Sequence, residues 1–135
     1  SVMTETIFQA REHQIQLTFE VKDKVERLPI TLLDLVRIAS ILLNNAIESA
    51  IDSLEKIVHV SLVQLDDKTI FVVQNSRKEG KLDLEELYQP EFSTKGENRG
   101  YGLNNIKEIL DRYEFITLDT QIEPNNFTQI LTIRR

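Results

Sequence analysis

The sequence contains no cysteine and no tryptophan, and only four glycines and three prolines in 135 residues. Without thiols there is no disulfide framework and no thiolate metal site, which suits a reducing compartment. No apolar run approaches the ~18–20 residues that a membrane-spanning helix needs, so this stretch of chain is not expected to cross a bilayer. Basic residues are in deficit too: sixteen Lys and Arg stand against twenty-two Asp and Glu, a net charge of −6. A general nucleic-acid surface would need the opposite balance. There is no internal repeat and no low-complexity run, and the length suits one domain with its own core over residues 1–135. No signal peptide is visible, and Met3 lies just inside Ser1, so the chain reads as a piece of a longer protein.

Because glycine is scarce, its distribution is informative. Gly96, Gly100 and Gly102 fall within the stretch Phe92-Ser93-Thr94-Lys95-Gly96-Glu97-Asn98-Arg99-Gly100-Tyr101-Gly102-Leu103, and Gly80 lies just upstream. A glycine-rich backbone can approach an anion closely, and Lys95 and Arg99 add charge. The stretch runs into a helical pattern with apolar residues at 103, 106, 109 and 110, so a helix over 103–113 is expected. A helix N-terminus offers unpaired N–H groups, which makes it a natural phosphate site. The alternative is a surface loop capped by a helix. A P-loop is excluded, because Thr94-Lys95 precede Gly96 rather than follow it. A dinucleotide fingerprint is excluded as well, because Asn105 stands where its third glycine belongs.

The remaining elements follow from periodicity. Residues 4–13 read as a short polar helix and 15–21 as a half-buried strand alternating Ile15, Leu17, Phe19 and Val21 with polar residues. Thr31 can cap a long helix over 32–54. Strands at 57–65 and 69–74 form a hairpin at Asp66-Asp67. Strands at 115–122 and 127–133 flank the turn Glu123-Pro124-Asn125-Asn126. Residues 76–99 are polar and irregular, with a short helical hint at 82–87, and are expected to form a nucleotide-dependent lid. The predicted fold class is α+β: a two-layer sandwich with a mixed, mainly antiparallel sheet covered on one face by helices.

The long helix carries the second clue. It is apolar on most sides and expected to be largely buried, yet Asn44 and Asn45 interrupt its middle. They either share a polar face with Arg37, Glu48 and Asp52, or offer an oxygen ligand to a hydrated magnesium ion.

Leu42-Leu43-Asn44-Asn45-Ala46-Ile47-Glu48-Ser49-Ala50 resembles the N box of the GHKL, or Bergerat, ATP-binding fold. Phe92-Ser93-Thr94-Lys95-Gly96 followed by Arg99-Gly100-Tyr101-Gly102-Leu103 resembles its last glycine box. The resemblance covers nearly the whole chain, and is most similar to the catalytic domains of Agr/Com-type peptide-pheromone receptor histidine kinases. It implies ATP and magnesium as cofactors. Asn45 matches the magnesium-coordinating asparagine, and Asn44 stands where aspartate is commoner. Asn75 occupies the place of the adenine-reading aspartate, without the glycines that usually follow it. Gly96, Gly100, Tyr101, Gly102 and Leu103 match the phosphate-facing segment, with Lys95 and Arg99 as triphosphate contacts.

One departure separates the branches of the family. Gyrase, MutL and the chaperones carry a water-activating glutamate, and the anti-sigma serine kinases the same glutamate, where this chain has Ile41, which cannot take a proton. A histidine kinase needs that base less, because the acceptor imidazole is already nucleophilic at neutral pH. The resemblance therefore implies phosphoryl transfer from ATP to a histidine on a separate dimerisation domain, and through it to a response regulator. Neither His13 nor His59 lies in a phosphoacceptor context. The implied setting is the cytoplasmic domain of a bacterial membrane sensor in quorum sensing. A serine kinase of a regulatory protein, or a degenerate nucleotide-binding interaction module, are the alternatives.

Overall fold

The computed structural model describes residues 2–24, 27–79 and 98–135. Helix α1 (Val2–Glu12) leads into strand β1 (Gln16–Lys22), and α2 (Leu32–Ile51) crosses over to β2 (Ile57–Gln64). Strand β3 (Lys68–Ser76), helix α3 (Asn98–Leu110), and strands β4 (Ile116–Ile122) and β5 (Asn126–Arg134) follow. The sheet order is β1-β2-β3-β5-β4, with β1 parallel to β2 and the other pairs antiparallel. A parallel pair cannot be joined by a hairpin, and α2 provides the long connection it needs. This is the α+β arrangement expected from the sequence.

Period-two alternation decides which side chains face the helices. Val58 and Val60 of β2, Val73 of β3, Ile116 of β4, and Leu131 and Ile133 of β5 are buried. They meet Ile38, Leu42, Ala46 and Ala50 of α2 and Ile106 and Ile109 of α3 in one core. Ile38 and Leu42 are fully buried, and each such side chain stabilises the fold by about 1.5–3 kcal/mol. The helix-facing positions of β3 and β5 are not uniformly apolar. Asn75 follows Phe71 and Val73, and Gln129 lies between Phe127 and Leu131; both amides are buried.

Both long helices differ from the sequence expectation. Helix α2 ends at Ile51 rather than near Leu54, and Leu54 is 97% exposed. The stop is local: the Ser53 hydroxyl donates to the Ala50 carbonyl at 2.7 Å and accepts from the Lys56 amide at 3.0 Å, turning the chain toward β2. Helix α2 is also buried on one face only, and Leu32, Leu33 and Val36 in its first turns are exposed. Helix α3 begins at Asn98 rather than 103, so Arg99, Gly100, Tyr101, Gly102 and Leu103 belong to its first turns. The apolar repeat marked only the part that reaches the core, where Ile106 and Ile109 are buried; the glycine-containing turns before it carry no such signal. The lid expected over 76–99 is shorter at both ends, because Ser76 belongs to β3, Arg77 is buried and 98–99 belong to α3. Its middle, the helical hint at 82–87, Lys95 and Gly96 lie outside the described residues.

Candidate functional site

Helix α2 is fixed at its start by Thr31, whose hydroxyl accepts from the Asp34 amide at 3.2 Å. This satisfies one of the orphan donors at a helix N-terminus, a contribution of about 1 kcal/mol. Asp34 itself is buried. Its carboxylate accepts from the Tyr113 hydroxyl, and from Arg112 Nη1 at 3.3 Å. The Tyr113 hydrogen bond, with help from Arg112, holds the Asp34 carboxyl below the usual carboxylate range. This clasp pins the N-terminus of α2 to the residues just after α3. It sets how the two helices lie beside one another, and no single-sequence motif announced it.

About three turns further along, α2 presents Asn44 to solvent and holds Asn45 half-buried. The Asn45 amide nitrogen is shielded from water. The two carboxamides that the sequence places together therefore differ: Asn44 is a surface group, whereas Asn45 is set into the flank of the core. Between Asn45 and the clasp, α2 and α3 enclose a groove of about 530 Å³. Arg37, Ser40 and Ile41 line it from α2, and Asn105, Glu108 and Arg112 line it from α3. Ile41 thus faces the cleft one helical turn before Asn45.

Asn75 lies within β3, which runs two residues beyond its expected end at 74. It is opposite Val58 of β2 and Phe127 of β5. Only 2% of it is exposed, and its Nδ2 donates to the Ser76 carbonyl at 2.8 Å. That bond orients the amide and leaves Oδ1 as an acceptor. Next to it, the Ser76 hydroxyl shares a 2.6 Å hydrogen bond with Ser53 and accepts from the Ile57 amide at 2.9 Å. Arg77 is buried as well. Its Nη1 donates to the Glu123 carbonyl at 2.8 Å and the Pro124 carbonyl at 3.2 Å, tying the end of β3 to the β4–β5 turn. The site end of β3 is therefore rigidly held on both sides.

The structure places Asn45 on α2, Asn75 on β3, and the backbone of 99–103 in the first turns of α3. The family model that describes the GHKL domain matches residues 30–134, which takes in α2, β2 to β5 and α3. The chain belongs to the GHKL domain family. Among solved structures, the nucleotide-free catalytic domain of the histidine kinase ThkA matches with a TM-score of 0.80 at 21% identity, over 98% of this chain and 87% of that one. Full-length ShkA in complex with AMPPNP matches with a TM-score of 0.77 at 16% identity, over 98% of this chain and 28% of that one. The mycobacterial sensor histidine kinase MprB matches with a TM-score of 0.68 at 19% identity, over 98% and 93% respectively. At these identities the likeness is one of fold. Comparison with curated proteins gives no significant match.

In this GHKL domain, the described residues contain no group of three His, Cys, Asp or Glu able to hold a metal ion. Nor does any helix among them have the length and apolarity to cross a membrane. A magnesium ion fits the donors present only in its usual manner: one hard protein oxygen, with water and phosphate oxygens completing the shell. The carboxamide oxygen of Asn45 suits that part.

Proposed function

We propose that this GHKL domain binds ATP with magnesium and donates the γ-phosphoryl group to a histidine on a separate helical dimerisation domain. On this reading it is the catalytic domain of a two-component sensor kinase of the peptide-pheromone quorum-sensing type. The parent protein sits in a bacterial cell membrane, its catalytic domain is cytoplasmic, and a response regulator receives the phosphoryl group next. The observation that carries the reading is the pair of carboxamides set into the domain on two different elements, Asn45 on α2 and Asn75 on β3, within a chain of the GHKL family.

Each residue has a distinct task. Asn75 Oδ1 accepts from the adenine amino group, while its own nitrogen stays fixed on Ser76. Asn45 offers its oxygen to magnesium, with Asn44 beside it at the surface. When bound, magnesium neutralises charge on the phosphate oxygens. Lys95 and Arg99 contact the triphosphate, and Gly96 and the segment Gly100-Tyr101-Gly102-Leu103 present backbone amides to it. The lone pair of the acceptor imidazole forms the new N–P bond while the bridging P–O bond to ADP breaks. Its electron pair leaves with ADP, and the second imidazole nitrogen then gives up its proton to water. No carboxylate is needed to strip a proton before attack, so Ile41 in the groove is compatible with this transfer and not with water activation.

The test is phosphotransfer in trans. Labelled ATP and magnesium are mixed with the chain alone, and then with the histidine-bearing helical domain. The chain alone should neither label itself nor hydrolyse ATP appreciably; with the helical domain, label should appear on histidine as an acid-labile product. Acid-stable label on serine of a partner would assign the domain to the serine kinases. Binding without any transfer would make it an interaction module.

A further inference from the structure

Gln129 has no part in the reading above, yet it is the side chain in the most anomalous surroundings. It is 4% exposed, on the helix-facing side of β5, between Phe127 and Leu131. Its Oε1 accepts from the Thr120 hydroxyl at 2.6 Å, which fixes the amide, but Nε2 is buried without a hydrogen-bond partner. A buried donor left unmet is costly, and in a well-packed domain such a group points to a partner that arrives from outside. Its position suggests which partner. Gln129 sits opposite Val73, and Asn75 sits opposite Phe127, so the two amides are diagonal neighbours on the same face of adjacent strands. Diagonal neighbours lie about 7–8 Å apart, close enough for two amide side chains to reach one heteroaromatic ring.

We propose that Gln129 is a base-specificity residue: its Nε2 donates to a ring nitrogen of adenine flanking the amino group that Asn75 Oδ1 receives. This rests on the assignment of Asn75 to adenine. The pair of contacts selects the base by its donor and acceptor pattern. Adenine presents an amino donor next to bare ring nitrogens. Guanine instead presents a carbonyl oxygen toward Asn75 Oδ1, and a protonated N1 beside it. Against guanine, two acceptors would face each other, and on the N1 side two donors would as well. Thr120, by occupying Oε1, holds the Gln129 amide in the orientation that leaves the nitrogen free for the base.

The experiment is a cycle between residue and ring atom, read by calorimetry with the intact chain. ADP, GDP, 1-deaza-ADP and 7-deaza-ADP are titrated into the parent and into Gln129→Met, which keeps the volume and loses the donor; circular dichroism checks the fold. The parent should bind ADP and should lose on the order of tenfold to a hundredfold with one of the two deaza analogues. Gln129→Met should lose the same factor for ADP and show no further loss with that analogue. If the 1-deaza analogue is the one that loses, the variant should also narrow the gap between ADP and GDP. If both deaza analogues bind the parent as tightly as ADP, or if Gln129→Met loses affinity equally for every ligand, Gln129 does not read the base. Should Gln129→Met unfold, Gln129→Glu, which replaces the donor by an acceptor, takes its place, and equal binding of both deaza analogues by the parent would still overturn the proposal. Failure of the parent to bind any nucleotide would instead overturn the ATP reading itself.

Discussion

Asn75 is held by a hydrogen bond to its own neighbour's carbonyl and is shut away from solvent, so its amide cannot rotate freely to suit any base. Replacing it tests recognition with little change in volume. Asn75→Leu removes the acceptor, and ADP affinity should fall by ~1–3 kcal/mol, the cost of an unmet polar contact, as measured by calorimetry. Unchanged affinity would place base recognition elsewhere. At this scale the sequence was half legible. Asn75 could be singled out because a known family keeps an adenine-reading side chain there. Gln129 was overlooked, although its signal is of the same kind: an amide breaking the apolar alternation Phe127, Leu131, Ile133. What single-sequence reading lacks is the register that sets Gln129 beside Asn75, because pairing between β3 and β5 spans the whole of α3 and β4.

Among the elements, α2 and α3 line the groove, and the Asp34 clasp ties the start of α2 to the end of α3. A carboxylate whose value is lowered in the folded state adds stability that is present above its ordinary value, near 4. That stability is lost as the pH falls through the folded value. Tyr113→Phe removes the largest cause of the lowering. The variant should melt at a lower temperature than the parent at pH 7, and the gap should close as the pH is taken below about 4. A gap of constant size from pH 7 to pH 2.5 would show that the tyrosine hydroxyl contributes independently of the carboxylate. The helices themselves were legible from spacing and from Thr31, but their ends were not. The end of α2 is set by the Ser53 hydroxyl bonding back to Ala50, and α3 extends through glycines whose propensity argues against a helix. The clasp was illegible for a different reason: Asp34 and Tyr113 are far apart in sequence, and neither sits in a motif. Asp34 read as an ordinary first-turn acid, whereas it is buried with Arg112 and Tyr113, just after α3, on its carboxylate.

For the whole molecule, the parallel β1–β2 pair and the antiparallel remainder give one sheet with one helix-covered face, and Asn75 and Gln129 lie buried on that face. Fold class was readable because every long element has clean periodicity. Membership of the GHKL family was readable because two motifs stand at the family's spacing, and Ile41 argued against the hydrolytic branches before its place in the groove was known. The central proposal is that this domain holds ATP through Asn45 and magnesium, ready for transfer to a histidine on another domain. The most direct measurement is a calorimetric titration of ATP into the chain with and without magnesium, repeated with Asn45→Ala. ATP should bind, magnesium should tighten binding in the parent, and Asn45→Ala should remain folded while losing that magnesium dependence. An absence of ATP binding by the folded parent, or equal magnesium dependence in parent and variant, would contradict it.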